Sequence, residues 1–115
     1  MIGLSGNVRV YLACGPTDMR KSFDGLAAAA QEHLRQDPCC GAVFAFRSKR
    51  GDRVKLLWWD SQGFCLFHKR LERGRFPWPS PADGMVRLTP AQLSMLLEGI
   101  DWGRPRWTAP PDRVA

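Results

Sequence analysis

Positively charged side chains are concentrated in one stretch of the chain. Residues 47–75 hold nine of the 17 lysines and arginines but only three of the 11 acidic residues, so this stretch carries the whole formal excess of +6. Such side chains bind phosphates and release counterions from nucleic acid. We therefore predict phosphate contacts from nine residues: Arg47, Lys49, Arg50, Arg53, Lys55, Lys69, Arg70, Arg73 and Arg75. The alternative is that these charges only solvate a half-exposed sheet.

Four aspartates offer a competing chemistry. Asp18, Asp24, Asp52 and Asp60 are the residue type that holds divalent metals for phosphoryl transfer, so a metal-dependent nuclease is one alternative. However, Asp18 suits the first turn of a helix, and Asp52 and Asp60 suit hairpin turns. Because these residues have local structural roles, we predict no catalytic residues.

The histidines and cysteines do not form a recognisable metal or redox motif. His33 and His68 stand in no metal-ligand spacing, and the chain has no phosphate-binding glycine loop of the Walker type. No Cys-x-x-Cys pair occurs among the four cysteines, which are Cys14, Cys39, Cys40 and Cys65. We predict reduced structural thiols, no metal, no cofactor and no enzyme activity.

Strand-like segments position most of the basic residues. Residues 8–12, 43–46, 54–59, 64–71 and 85–88 favour strands, and glycine-containing turns separate the three central ones. A period of two predicts Cys65, Phe67 and Lys69 on one face, opposite a second set comprising Phe64, Leu66, His68 and Arg70. The glycine turns predict antiparallel hairpins.

Two helices complete the predicted fold. Thr17 is the expected N-cap of a helix over 18–36, whose apolar residues recur at spacings of three and four. Thr89, Pro90 and Gln92 form a capping-box signature for a second helix over 89–98. We therefore predict a small single α+β domain with an antiparallel sheet of three to five strands packed against two helices.

The length and composition are typical of one compact domain. We assign residues 1–102 to it and predict that residues 103–115, rich in proline and arginine, form a mobile tail. No apolar run approaches the roughly 18 residues that a membrane helix needs, and the N-terminus lacks a signal-peptide pattern. We therefore expect a cytoplasmic protein with no membrane partner.

Several short motifs point to one family. The sequence reads Val-Tyr-Leu-Ala-Cys-Gly at 10–15, Thr-Asp-Met-Arg-Lys at 17–21 and Phe-Asp-Gly-Leu at 23–26. It continues with Arg-Gly-Asp-Arg-Val-Lys at 50–55, Trp-Trp-Asp at 58–60, Lys-Arg-Leu-Glu-Arg-Gly-Arg-Phe at 69–76 and Leu-Thr-Pro at 88–90. Together these motifs resemble TnpB, the second-open-reading-frame accessory protein of the insertion-sequence-sixty-six family of bacterial transposable elements. The resemblance covers about residues 8–102.

The resemblance implies an accessory role in DNA transposition, beside a separate, larger transposase that carries the catalytic residues. Combined with the charge pattern, it leads us to expect contact with element DNA through the basic segment. The alternative is an adaptor that docks on the transposase without touching DNA. Aromatic residues favour such protein interfaces, and the candidates are Trp58, Trp59, Phe76 and Trp78.

Overall fold

A computed structural model describes residues 7–99. The described elements are β1 (Val10–Pro16), α1 (Phe23–His33), β2 (Val43–Arg47), β3 (Arg53–Trp59), β4 (Phe64–Arg70), β5 (Met85–Leu88) and α2 (Pro90–Leu97), with a short 3-10 turn at Pro81–Asp83. The predicted α+β class, with two helices and up to five strands, is confirmed. The expected mobile tail over 103–115 lies outside the described residues.

The strands form one mixed sheet in the order β4-β3-β2-β1-β5. β2, β3 and β4 pair antiparallel, and β5 pairs antiparallel with β1. β1 and β2 are parallel, with Val10 opposite Val43, so the prediction of a wholly antiparallel sheet is wrong at this pair. A parallel pair needs a long crossover, and residues 17–42 with α1 supply it.

Both faces of the sheet are covered, which explains the apolar runs of the central strands. On one face α1 packs through Leu26 and Ala30 against Tyr11, Phe44 and their neighbours. We call this the α1 face. On the other, the α2 face, Leu93 and Leu96 contact a cluster that includes Leu12. The period-two prediction for β4 is confirmed, because Phe67 packs with the α2-face cluster and Leu66 with the α1-face cluster.

Helix α1 is shorter than predicted at both ends. Its N-cap is Ser22, whose side chain makes no capping hydrogen bond, so the assignment of Thr17 as N-cap is wrong. Thr17 instead donates its backbone N–H to the Arg47 carbonyl at 2.8 Å, continuing the ladder from β1. At the other end Arg35 has a positive φ of 55°, a left-handed conformation that ends the helix.

Helix α2 begins as its sequence predicts. The Thr89 hydroxyl accepts from the Gln92 N–H at 3.1 Å, and the Gln92 side chain accepts from the Thr89 N–H at 2.9 Å. This reciprocal pair satisfies two N–H groups that a helix start otherwise leaves unpaired. Within residues 7–99, both helices are too short to cross a membrane.

Replacing the two helix caps tests this difference. Thr89→Ala removes a side-chain acceptor and is expected to lower the free energy of unfolding by about 1 kcal/mol. Ser22→Ala removes no capping bond and should change it by less than about 0.5 kcal/mol. Urea denaturation followed by circular dichroism measures both variants. Equal effects of the two substitutions would contradict the capping geometry.

Candidate nucleic-acid interface

The exposed cations of the basic segment collect at one end of the sheet. β1 and β2 end there, β3 begins there and β4 ends there, so two connecting segments meet at the same edge. These are the β2–β3 turn, residues 48–52, and the loop at residues 71–76. We call this region the basic end. Its exposed cations are Lys49, Arg50, Arg53, Arg70, Arg73 and Arg75.

The β2–β3 turn is held by its own hydrogen bonds. The Ser48 hydroxyl accepts from the Arg53 N–H and donates to an Asp52 carboxylate oxygen, both at 3.1 Å. Gly51 donates its N–H to the Ser48 carbonyl at 3.0 Å and has a φ of 80°, which glycine adopts without strain. Lys49 and Arg50 therefore project from an ordered turn.

The loop at 71–76 is attached to that turn by two backbone bonds. Leu71 donates its N–H to the Asp52 carbonyl at 2.8 Å, and Phe76 donates to the Gly51 carbonyl at 2.9 Å. The Arg75 stem lies beside Gly51, with its carbons 3.6–3.7 Å from where a β-carbon would stand. The two connections therefore form one surface.

Cross-strand register adds a pair of like charges. Arg53 stands directly opposite Arg70, and Lys55 opposite His68, all on the α1 face. Glu72 accepts from the Arg70 guanidinium at 3.1–3.2 Å. The pKa of His68 is lowered, first by partial burial of the ring and then by the positive charges of Lys55, Arg53 and Arg70. The positive charges at this end therefore disfavour protonation of His68.

The other three side chains predicted to contact phosphates instead donate hydrogen bonds to backbone carbonyls of the protein. Lys55 is only 7% exposed, and its ammonium donates to the carbonyls of Met19 and Lys21, both at 2.7 Å. Lys69 donates to the carbonyl of Leu97, the last residue of α2, at 2.8 Å. The Arg47 guanidinium donates to three carbonyls, those of Cys14, Ser48 and Lys49. We therefore leave Arg47, Lys55 and Lys69 out of the candidate interface.

The segment held by Lys55 borders the basic end. Thr17, Asp18 and Met19 line one shallow depression together with residues 48–50, 52 and 53 of the turn and β3. The exposed Asp18 carboxylate accepts from the Arg20 guanidinium at 2.8 Å, and these hydrogen bonds lower the pKa of Asp18 to about 2. Asp18 therefore stays ionised and paired at neutral pH.

The four aromatic residues predicted to bind a partner do not form one patch. Trp58 packs against the α2-face cluster, while Trp59 lies edge-on to Phe64 with ring centroids 5.1 Å apart. Phe76 is 4% exposed and belongs to the core. The Trp78 indole N–H donates to the Ala13 carbonyl at 2.8 Å. Only Trp58 and Trp59 share one end of the sheet, opposite the basic end.

Within the part of the chain that the structure describes, the acidic and thiol groups do not converge on a site. Among residues 7–99, no group of three or more His, Cys, Asp or Glu side chains is placed to hold a metal ion. Asp60 accepts from the Gln62 and Gly63 N–H groups, the role expected of a turn aspartate. Cys14 is buried, and burial raises the pKa of its thiol.

His68 is the residue that sequence reasoning missed. The sequence places it in no metal-ligand spacing and predicts no role for it, whereas the structure places it among cations. The period-two pattern already set His68 and Arg70 on one face of β4. The missing information was the register with β3, which brings Arg53 and Lys55 opposite them.

Comparison with known proteins gives the family. A family model described as IS66 Orf2 like protein matches residues 8–107. The chain belongs to this IS66 Orf2-like family. The resemblance found from the motifs is confirmed, and the family implies an accessory role in transposition rather than a known enzyme activity.

Two curated relatives support membership of the IS66 Orf2-like family. Uncharacterized protein y4hO of Sinorhizobium fredii is 50% identical over 114 residues, covering 99% of this chain and 99% of that protein. Uncharacterized protein y4jC of the same organism is 41% identical over 104 residues, covering 90% and 89%. No solved structure gives a significant match.

Substitution of Lys55 tests its interior role. Lys55→Met keeps a long apolar stem but leaves the Met19 and Lys21 carbonyls without their donor, so the free energy of unfolding should fall by about 1–3 kcal/mol. Lys49→Met, at the exposed turn, is the matched control and should change it by less than about 0.5 kcal/mol. Chemical denaturation measures both. A Lys55→Met protein as stable as the Lys49→Met protein would refute the assignment.

Proposed function

We propose that this chain is a non-catalytic accessory protein that contacts DNA through its basic end during transposition of an insertion sequence. The observation that carries the proposal is the set of six exposed cations on the β2–β3 turn, the loop at 71–76 and the adjoining ends of β3 and β4, where backbone hydrogen bonds join the turn to the loop. Association with a polyanion relieves the repulsion within such a set, and each phosphate that is neutralised releases counterions.

The acidic residues at this end do not cancel its charge. Glu72 pairs with Arg70, and Asp18 pairs with Arg20, a cation outside the set of six. Asp52 accepts from the Ser48 hydroxyl. A phosphate can replace Glu72 as the partner of Arg70 at little cost, since exposed ion pairs contribute at most about 1 kcal/mol. The surface therefore keeps a positive excess toward DNA.

The chemistry of the basic end favours the DNA backbone over the bases. Its cations lie on a turn, a loop and two strand ends, and among residues 7–99 both helices pack against the sheet. Phosphate contacts position a protein on a duplex without reading its sequence. We therefore propose non-specific, salt-sensitive binding to element ends.

A second candidate partner is the transposase encoded separately by the same element. Trp59 and Phe64 stack edge-on and are both half-exposed at the end of the sheet opposite the basic end. Along β3, Arg53 and Trp59 are separated by roughly 20 Å. We propose this aromatic end as the docking surface, since aromatic residues favour interfaces. A protein bound there leaves the basic end open to DNA.

Removal of charge tests the DNA proposal. The triple variant Lys49→Gln, Arg50→Gln, Arg53→Gln should weaken binding to duplex DNA by at least about tenfold. It should also reduce the slope of log affinity against log salt by as much as about 3, because each lost phosphate contact removes nearly one unit. Fluorescence anisotropy with element-end and scrambled duplexes across a salt series measures both quantities.

A second triple variant controls for net charge. Arg9→Gln, Arg35→Gln, Arg87→Gln removes the same charge from exposed positions outside the basic end, and it should keep most of the affinity and slope. Equal losses in the two variants would refute a localised interface. If the unaltered protein binds neither duplex at low salt, direct DNA contact is refuted. Retention on immobilised transposase after nuclease treatment would then support the adaptor.

A further inference from the structure

One cluster within the basic end is arranged as an anion site. Arg53 and Arg70 are direct cross-strand partners, and His68 lies one pair along, on the same face. Like charges directly opposite one another destabilise a sheet pair, so an anion bound between these two side chains offsets an unfavourable contact. These three side chains and Glu72 line one shallow surface depression. The register therefore holds two guanidinium groups and an imidazole around a single concave surface.

We infer that Arg53, Arg70 and His68 form a binding site for one phosphate of the DNA backbone, and that phosphate binding is coupled to protonation of His68. The inference rests on the proposed function for the source of the phosphate. Each guanidinium presents a planar set of donors that matches phosphate oxygens, and a protonated imidazole adds another donor. In the free protein Glu72 accepts from the Arg70 guanidinium, and the phosphate replaces Glu72 when it binds.

The electrostatic surroundings of His68 set the direction of the coupling. Partial burial and the charges of Lys55, Arg53 and Arg70 lower the pKa of His68 in the free protein. Glu72 shares the depression, and the charged residues around the start of α1 are Lys21, just before the helix, and Asp24, in its first turn. A bound phosphate adds negative charge that offsets the cations, so it raises the pKa of His68.

The sign of the pH dependence follows from this rise. When binding raises the pKa of a group, binding takes up a proton, and affinity increases as pH falls from above the bound pKa to below the free pKa. Each unit of difference between the two pKa values corresponds to a tenfold change in affinity. DNA should therefore bind several-fold more tightly at pH 6 than at pH 8, through His68.

The test combines NMR with binding measurements. The His68 ring is titrated by NMR in the free protein, with inorganic pyrophosphate, and with a saturating 20-base-pair duplex. Duplex affinity is measured at pH 6, 7 and 8 for the unaltered protein and for His68→Gln. We expect both ligands to raise the His68 pKa and His68→Gln to remove most of the pH dependence. His33→Gln is the matched control, because His33 is exposed at the far end of α1.

The outcomes separate this inference from the proposed function. If the duplex binds but leaves the His68 pKa unchanged, and His68→Gln keeps the full pH dependence, the proposed phosphate site is refuted while DNA binding stands. If pyrophosphate raises the His68 pKa but no duplex binds, the anion site is supported and DNA is refuted as its source. If neither ligand binds, both proposals fail. Arg53→Gln with Arg70→Gln should abolish the effect of pyrophosphate.

Discussion

Lys55 brings an ammonium group under the crossover that joins the two parallel strands. Its Nζ donates to the carbonyls of Met19 and Lys21, both at 2.7 Å, and the side chain is nearly inaccessible to solvent. An unpaired buried charge is costly, so these acceptors are a condition for placing lysine there. The same bonds hold the segment before α1 against β3. This contact therefore fixes the segment that leads into α1, while Leu26 and Ala30 of the helix itself cover the α1 face.

The buried charge also shapes the surface beside it. Lys55 stands opposite His68 and is one of the cations that disfavour protonation of that ring. Arg53 lies two residues away on the same face, at the start of β3. A residue with a structural role therefore contributes to the positive potential of the basic end without being able to reach a phosphate. Burial and electrostatics are linked here through strand register.

Much of the fold follows from local signals. The capping box of α2 and the alternation along β4 act within a few residues, so the sequence alone predicts them correctly. The parallel pairing of β1 and β2 was not predicted, because glycine turns report only neighbouring hairpins. The late start of α1 was missed for a similar reason. The Lys21 carbonyl, just before α1, accepts from the Lys55 ammonium, and this contact spans 34 residues of chain.

The sequence predicts which part of the chain forms the candidate site, but it does not predict which side chains remain exposed there. The charge count identifies the segment of chain that supplies the basic end, yet it gives equal weight to every cation. Arg47, Lys55 and Lys69 are more buried than the other six, and each donates to carbonyls that folding brings to it, such as that of Leu97 at the end of α2. Phe76 is similar, since burial removes an aromatic residue from any docking patch. Tertiary contacts decide which residues remain available.

The placement of the six exposed cations has a thermodynamic consequence for the whole domain. Arg53 and Arg70 repel each other across a strand pair, and Lys49 and Arg50 share one turn. This repulsion opposes folding, whereas the apolar packing on both faces of the sheet favours it. A polyanion at the basic end removes the opposing contribution only in the folded state, because register and turn hydrogen bonds bring the cations together. On the proposal that DNA binds at the basic end, the same geometry that costs stability in the free protein makes DNA a stabilising ligand.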